Sequence, residues 1–332
     1  MTHLQFSTWA SCTLMAVGAS VVSTATGAQQ LSDTALVPTA GVTYTRSDDI
    51  LWLERTRDFT HDFSYSVAKT VDGWFGNDPF AESGGKVSGH VRLNTLWDQD
   101  DGLDGNVRFR LRADLPNLRR QAYAFVGQDN EREEVTDQPE NFSRQQLLLR
   151  ESRRDDQSFF AGLGVDLKKN VDFRVGVRGG LNFYVQARYR DHWLLSDRDR
   201  LDFRQTLFWT VDDSIGATTV LDYERAFSPS LALRWSTTGT ITRRSHGFEW
   251  YSGIGPFKTL NEKQLVALEA IVQGKTGAVD ISNYGMRGTF RQTLYKDWLT
   301  GTVTVGHFWP KNDDDPLRRK AWAVGVGVEM QF

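Results

Sequence analysis

Between Gly85 and Phe332 the side chains alternate between apolar and polar or small with a period of two, run after run. That period puts neighbouring side chains on opposite faces of an extended ribbon, so each run can be wet on one side and dry on the other, and none of them reads as a helix. About fourteen such runs can be placed, with twelve as the fallback if neighbours are merged. The first, 86–97, sets Val87, Val91, Leu93 and Trp97 on one face; the second, 104–115, opposes Val107, Phe109, Leu111 and Ala113 to Arg108, Arg110 and Arg112. Others follow at 119–127, 157–167, 171–178, 181–193, 200–211, 214–225, 230–242, 247–258, 264–273, 281–295, 298–309 and 321–332. Gly179-Gly180 reads either as a tight turn between two strands or as a bend in one.

The last run, AWAVGVGVEMQF, is the sharpest. Trp322, Val324, Val326, Val328, Met330 and Phe332 share one parity, while alanines, glycines, Glu329 and Gln331 share the other. It resembles the C-terminal signal strand of bacterial outer-membrane β-barrels, which commonly ends on Phe and is read by the barrel-assembly machinery. The N-terminal segment agrees with export: residues 9–22 are uncharged and mostly apolar or small, and Thr26-Gly27-Ala28 offers a small-residue cleavage site, giving an expected signal peptide over 1–28. The departure from pattern is the absence of Lys or Arg before the apolar stretch. Cys12, the only cysteine, falls inside that signal, so the mature chain has no disulfide and no thiolate metal site.

Composition fits this class. A mean hydropathy of −0.45 is too wet for a helical membrane protein but suits a barrel with a polar lumen and loops. Eleven tryptophans suit interfacial girdles, and only eight prolines leave long strands uninterrupted. A net charge of −3 gives no basis for a nucleic-acid partner. Short connections such as 168–170 and 295–298 alternate with longer, acidic ones such as 98–104, 128–156 and 311–320, which matches the family's short periplasmic turns and longer outer loops. The expected fold is therefore an all-β transmembrane antiparallel barrel over 85–332 in the bacterial outer membrane. Its partners would be outer-membrane lipid and lipopolysaccharide.

Residues 29–48, rich in Thr, Ser, Ala and Gly, read as a linker, and 49–76 as an amphipathic periplasmic helix. Trp52, Phe59, Phe63, Val67, Val71 and Trp74 recur at helical spacing. The stripe must be buried somewhere: on the periplasmic rim, in the membrane interface, or inside the lumen as a plug.

On the inward parity the sequence places Arg92, Arg108, Arg110, Arg112, Arg174, Arg188, Arg190, Arg204, Arg234, Arg287 and Arg291, facing acids that include Asp202, Asp222 and Glu224. In an open lumen such arginines favour anions; in a narrow one they form a packed ion-pair network. The expectation is a channel or transport-type barrel with an Arg-rich, mildly anion-favouring lumen. A lipid-active enzyme and a sealed structural or assembly barrel are the alternatives. For catalysis the candidates are few: His246 after Ser245, His307, and Ser282-Asn283, with no Gly-x-Ser-x-Gly elbow. His90 and His192 read as lumen fillers. No spacing of His and carboxylates suggests a transition metal or cofactor, and the acidic loops around Asp98 to Asp104 and Asp313 to Asp315 read as solvated rather than as Ca²⁺ sites.

Overall fold

The computed structural model describes residues 46–73, 80–81, 84–99, 102–118, 121–130, 135, 157–168, 170–179, 182–212, 214–244, 247–277, 280–311, 317 and 320–332. The signal segment expected over 1–28 and most of the linker expected over 29–48 lie outside these residues. One helix, α1 (Arg46–Asp72), precedes fourteen strands. The helix starts three residues inside the stretch expected as linker, which puts Asp48 and Asp49 within its first turn, where negative charge suits the positive end of the helix dipole. It closes at Asp72, where the Gly73 N–H still reaches the Lys69 carbonyl at 3.0 Å; residues 74–76 of the expected helix lie outside the described residues.

The strands are β1 (Val87–Asp98), β2 (Gly102–Asp114), β3 (Ala122–Asn130), β4 (Gln157–Lys168), β5 (Val171–Arg178), β6 (Asn182–Leu194), β7 (Asp199–Thr210), β8 (Ser214–Ser228), β9 (Leu231–Thr242), β10 (Glu249–Asn261), β11 (Gln264–Lys275), β12 (Asn283–Tyr295), β13 (Leu299–Phe308) and β14 (Ala321–Gln331). Each pairs antiparallel with its neighbours in the chain, and β14 pairs with β1, so the sheet closes and keeps no edge. The Gly179-Gly180 ambiguity resolves as two strands, since β5 and β6 pair from Val171↔Tyr189 to Arg178↔Asn182. The last residue takes part in the seam: Phe332 exchanges backbone hydrogen bonds with Gly89 at 2.9 and 3.0 Å.

One parity of every strand is apolar and exposed, including Leu93, Val107, Leu163, Leu207, Ile254, Val303 and Trp322. The other parity holds the polar and charged side chains together with two buried apolar clusters, Leu96, Tyr251, Ile271, Phe308 and Ala323 on one wall and Tyr123, Phe125, Val135, Phe160, Tyr184 and Phe208 on the other. A closed barrel with an apolar outside satisfies its whole backbone internally and presents hydrocarbon to its surroundings.

The helix does not enter this barrel. Tyr295, the last residue of β12, and Lys296, in the turn that follows, donate to the Glu54 carboxylate at 2.9 and 2.5 Å, and Arg57 reaches the Gln331 carbonyl at 3.2 Å. Further along, Ala68 packs against Phe80 and Ala113, and Asp72 accepts from the backbone and side-chain amides of Asn117 at 3.0 and 2.8 Å. Ala113 shares the apolar, outward parity with Val107 and Leu111, so α1 lies along the outside of the wall at the end that carries the chain terminus. The plug reading is excluded for α1, because its contacts are spent on that outer surface.

Candidate functional site

The inward face divides by depth. Near the end that carries the terminus, which the rule for these barrels makes periplasmic, several charged side chains are wet, while Asp172 and Arg174 of β5 and Glu329 of β14 are largely buried. Arg112 bonds Asp166 at 2.8 Å, with 39% and 46% of the two side chains exposed. Arg200 pairs with Asp202 at 2.8 Å and Arg234 with Glu224. Arg190 and Arg291 are exposed, and neither makes an ion pair among the described residues. These groups line a charged vestibule.

Further from that end the same parity is dry. Arg108 and Asp129 pair at 2.9 Å with 2% and 4% exposure. Buried with them are Arg178, Gln186, Arg188, Thr206, Thr210, Thr218, Thr240, Asn283 and Arg287, drawn from β5 to β9 and β12. Together with the two apolar clusters they form a collar. Gln186 donates its amide to the Val135 carbonyl at 2.9 Å, so a residue of the connection between β3 and β4 reaches the collar.

The aromatic wall of the collar is built by register. Tyr123 stands opposite Gly164, Phe125 opposite Gly162, Phe160 opposite Gly127, Tyr184 opposite Gly176 and Phe208 opposite Gly216. Each ring lies over its glycine, where a Cβ would collide with it. Arginines cover the other face: Arg112 lies 3.6 Å above the Tyr123 ring, and Arg110 5.7 Å from that of Phe160. Tyr123 also donates to Asp172 at 2.7 Å, and Arg174 reaches both of them.

The remaining arginines on this parity are placed as follows. Arg92 pairs with Glu329 at 2.8 Å, Arg188 with Asp172 at 3.7 Å, and Arg287 with Glu269. Arg204 stands opposite Arg190 and Val220, and Asp222 accepts from the Ser236 hydroxyl. Arg190, Arg200 and Arg291 are thus exposed, Arg112 partly so, and Arg108, Arg178, Arg188 and Arg287 buried, with Arg174 largely buried beside Asp172 at the terminus end. Sequence reasoning missed the inward aromatics, Asp129 and Gln186; the signal was the adjacent pair Phe159-Phe160, which must send one ring each way, beside Gly162 and Gly164 at spacing two.

Among the described residues the enzymatic candidates do not assemble. Ser245 and His246 lie outside the described residues. His307 is on the outward parity with its ring 4.4 Å from Trp309 and 4.3 Å from Trp322, and the Ser282 hydroxyl bonds the Gln273 carbonyl. Among the described residues no group of His, Cys, Asp and Glu could hold a metal ion. Residues 100–101 and 312–316 of the acidic loops lie outside the described residues, and Asp104 accepts from the Gly105 N–H at 2.8 Å.

No protein-family model matches this chain, and no curated protein matches it. Solved structures similar to it include the outer membrane channel DcaP of Acinetobacter baumannii, at 10% identity and TM-score 0.43 over 75% of this chain and 97% of that one. An anion-selective porin from Comamonas acidovorans aligns at 10% identity and TM-score 0.43 over 75% and 99%. OprB of Pseudomonas putida aligns at 10% and 0.44 over 76% and 94%. Such values say nothing about cargo, and the architecture rests on the strand ladder itself. By that ladder and its apolar outer parity, the chain is an outer-membrane β-barrel.

Proposed function

We propose that this barrel is a channel or transport-type protein whose vestibule gathers small anions. The observation that carries the reading is the pair of exposed arginines, Arg190 and Arg291, on the inward face without an ion-pair partner among the described residues. Neither lies within ion-pair distance of a carboxylate among the described residues, whereas Arg112, Arg200 and Arg234 each sit against one. Uncompensated positive charge in a water-filled funnel raises the local concentration of anions, and ionic strength screens the effect. The buried collar side chains support a narrow path, so single-channel currents should be small.

The test is a planar bilayer under a salt gradient. The wild type should show a reversal potential of anion preference that shrinks at high salt, and Arg190→Glu with Arg291→Glu should abolish or invert it at normal barrel yield. Cation preference in the wild type would overturn the selectivity. A second reading, a sealed structural barrel, is favoured by the burial of the collar side chains; bilayers that stay silent with correctly folded protein would establish it in place of the channel.

A further inference from the structure

The helix α1 meets three different surroundings. Ser64, Tyr65, Ala68 and Asp72 lie toward the barrel, buried or half-buried, while Arg55, Asp58, Asp62 and Lys69 form an exposed charged face. The third face is apolar and uncovered: Phe59 is 72% and Phe63 63% exposed, their rings stack at 6.3 Å, and Val67 continues the row. At 3.6 residues per turn, 59, 63 and 67 make one stripe running along the helix. A helix with one face on a membrane protein, one charged and one apolar is partitioned for the membrane interface.

Beside this stripe a cavity of about 240 Å³ opens between Val67 and Val71 of the helix and Leu111, Ala113, Ala124 and Ala161 of the wall. The hollow has a simple cause. Ala113 pairs with Ala124 across β2–β3, and Ala161 pairs with Val126 across β3–β4, so small side chains meet on a parity that elsewhere carries Val, Leu and Phe. Its lining is continuous with the exposed apolar side chains of Val126 and Leu163, which belong to the lipid-facing outside of the barrel.

We propose that this wedge between α1 and the β2–β4 wall binds one acyl chain of a phospholipid from the leaflet in which the helix lies. Continuity with the lipid-facing surface identifies the occupant, because hydrocarbon is what surrounds that surface, and an apolar cleft left empty would forfeit contacts on both walls. Recognition is by the chain rather than the headgroup, since the neighbouring charged face mixes both signs. The inference is independent of whether the lumen conducts.

The experiment extracts the full-length barrel from vesicles of equal parts phosphatidylethanolamine and phosphatidylglycerol and measures retained phospholipid by native mass spectrometry. The wild type should keep one phospholipid, drawn from both headgroup classes alike. Ala124→Phe and Ala161→Phe, which fill the hollow with apolar side chains, should lower retention about tenfold, the loss of roughly two buried methylenes. Ala217→Phe, on the outward parity of β8, should retain lipid as the wild type does. No retained phospholipid in the wild type, equal retention in the filled variants, or equal loss in the Ala217→Phe control would each overturn the proposal.

Discussion

Two ion pairs of the same chemistry sit at different depths of one lumen. Arg234 and Glu224, in the vestibule, keep 35% and 27% of their side chains exposed; Arg108 and Asp129, in the collar, keep 2% and 4%. The first pair is partly solvated by water and therefore contributes little to stability. In the second the protein must replace that water, so removing either charge takes from the other a buried partner that solvent does not replace. A row of arginines on one parity thus meets two surroundings, water where the barrel is wet and packed protein where it is dry.

The largest effect expected from this contrast is in the collar. Arg108→Ala takes the guanidinium away from the buried Asp129 carboxylate and should cost about 3–5 kcal/mol. Arg234→Ala should change stability by less than about 1 kcal/mol. The readout is the temperature at which the folded band is lost on a heat-modifiability gel. Equal losses for the two variants would erase the distinction between vestibule and collar. Restoring much of the stability with Arg108→Met and Asp129→Leu together would sharpen it, because an apolar pair removes the buried carboxylate along with its guanidinium.

A middle-sized effect is expected at the aromatic wall. Gly164→Ala and Gly216→Ala each place a Cβ against the ring of Tyr123 or Phe208. Overpacking of this kind costs about 1–3 kcal/mol. Gly105→Ala, in β2, is the control, for its nearest contact, the Asn94 carbonyl, is an ordinary 3.8 Å away. If the three variants melt together, the rings are not held against their glycines and the collar is looser than the register implies.

Much of this architecture was legible before any coordinates. The strand count, the closing role of 321–332 and the inward parity of residues such as Arg108 follow from alternation, which needs only a single strand to be read. What alternation cannot reveal is register and depth. That Phe125 lies on Gly162, or that Asp129 rather than another acid meets Arg108, depends on how neighbouring strands slide past one another. Exposure is equally invisible: Arg188 and Arg190 are two residues apart on one parity of β6, yet the first is buried and the second exposed. The helix shows the same limit. Its apolar row of Phe59, Phe63 and Val67 is plain in the sequence, but periodicity alone does not choose among rim, membrane interface and lumen, and an exposed row on the outside of the wall fits the interface.

The smallest effect is expected where an ion pair is fully outside the barrel. Glu54 on α1 accepts from Lys296, the residue at φ 42° in the β12–β13 turn, and from Tyr295. The Lys296 hydrogen bond is the main reason that the Glu54 carboxyl is held below its usual value, and the same bond holds the Lys296 ammonium above its own. The signs fix the window. A depressed carboxylate contributes above its ordinary pKa of 4.5 and loses that contribution as pH falls through the lowered value. A raised ammonium contributes below its ordinary 10.5 and loses it as pH climbs through the raised value. The tie between helix and turn should therefore be constant across neutral pH and loosen only in acid or strong base. Cleavage of α1 by an acid-active protease should rise as the medium is acidified below the ordinary carboxylate range, and Glu54→Gln should remove that rise while leaving the barrel's melting temperature unchanged. A matching acid sensitivity in the variant would assign the loosening to other carboxylates, with Asp72 at the far end of the helix, bonded to Asn117, the next to substitute.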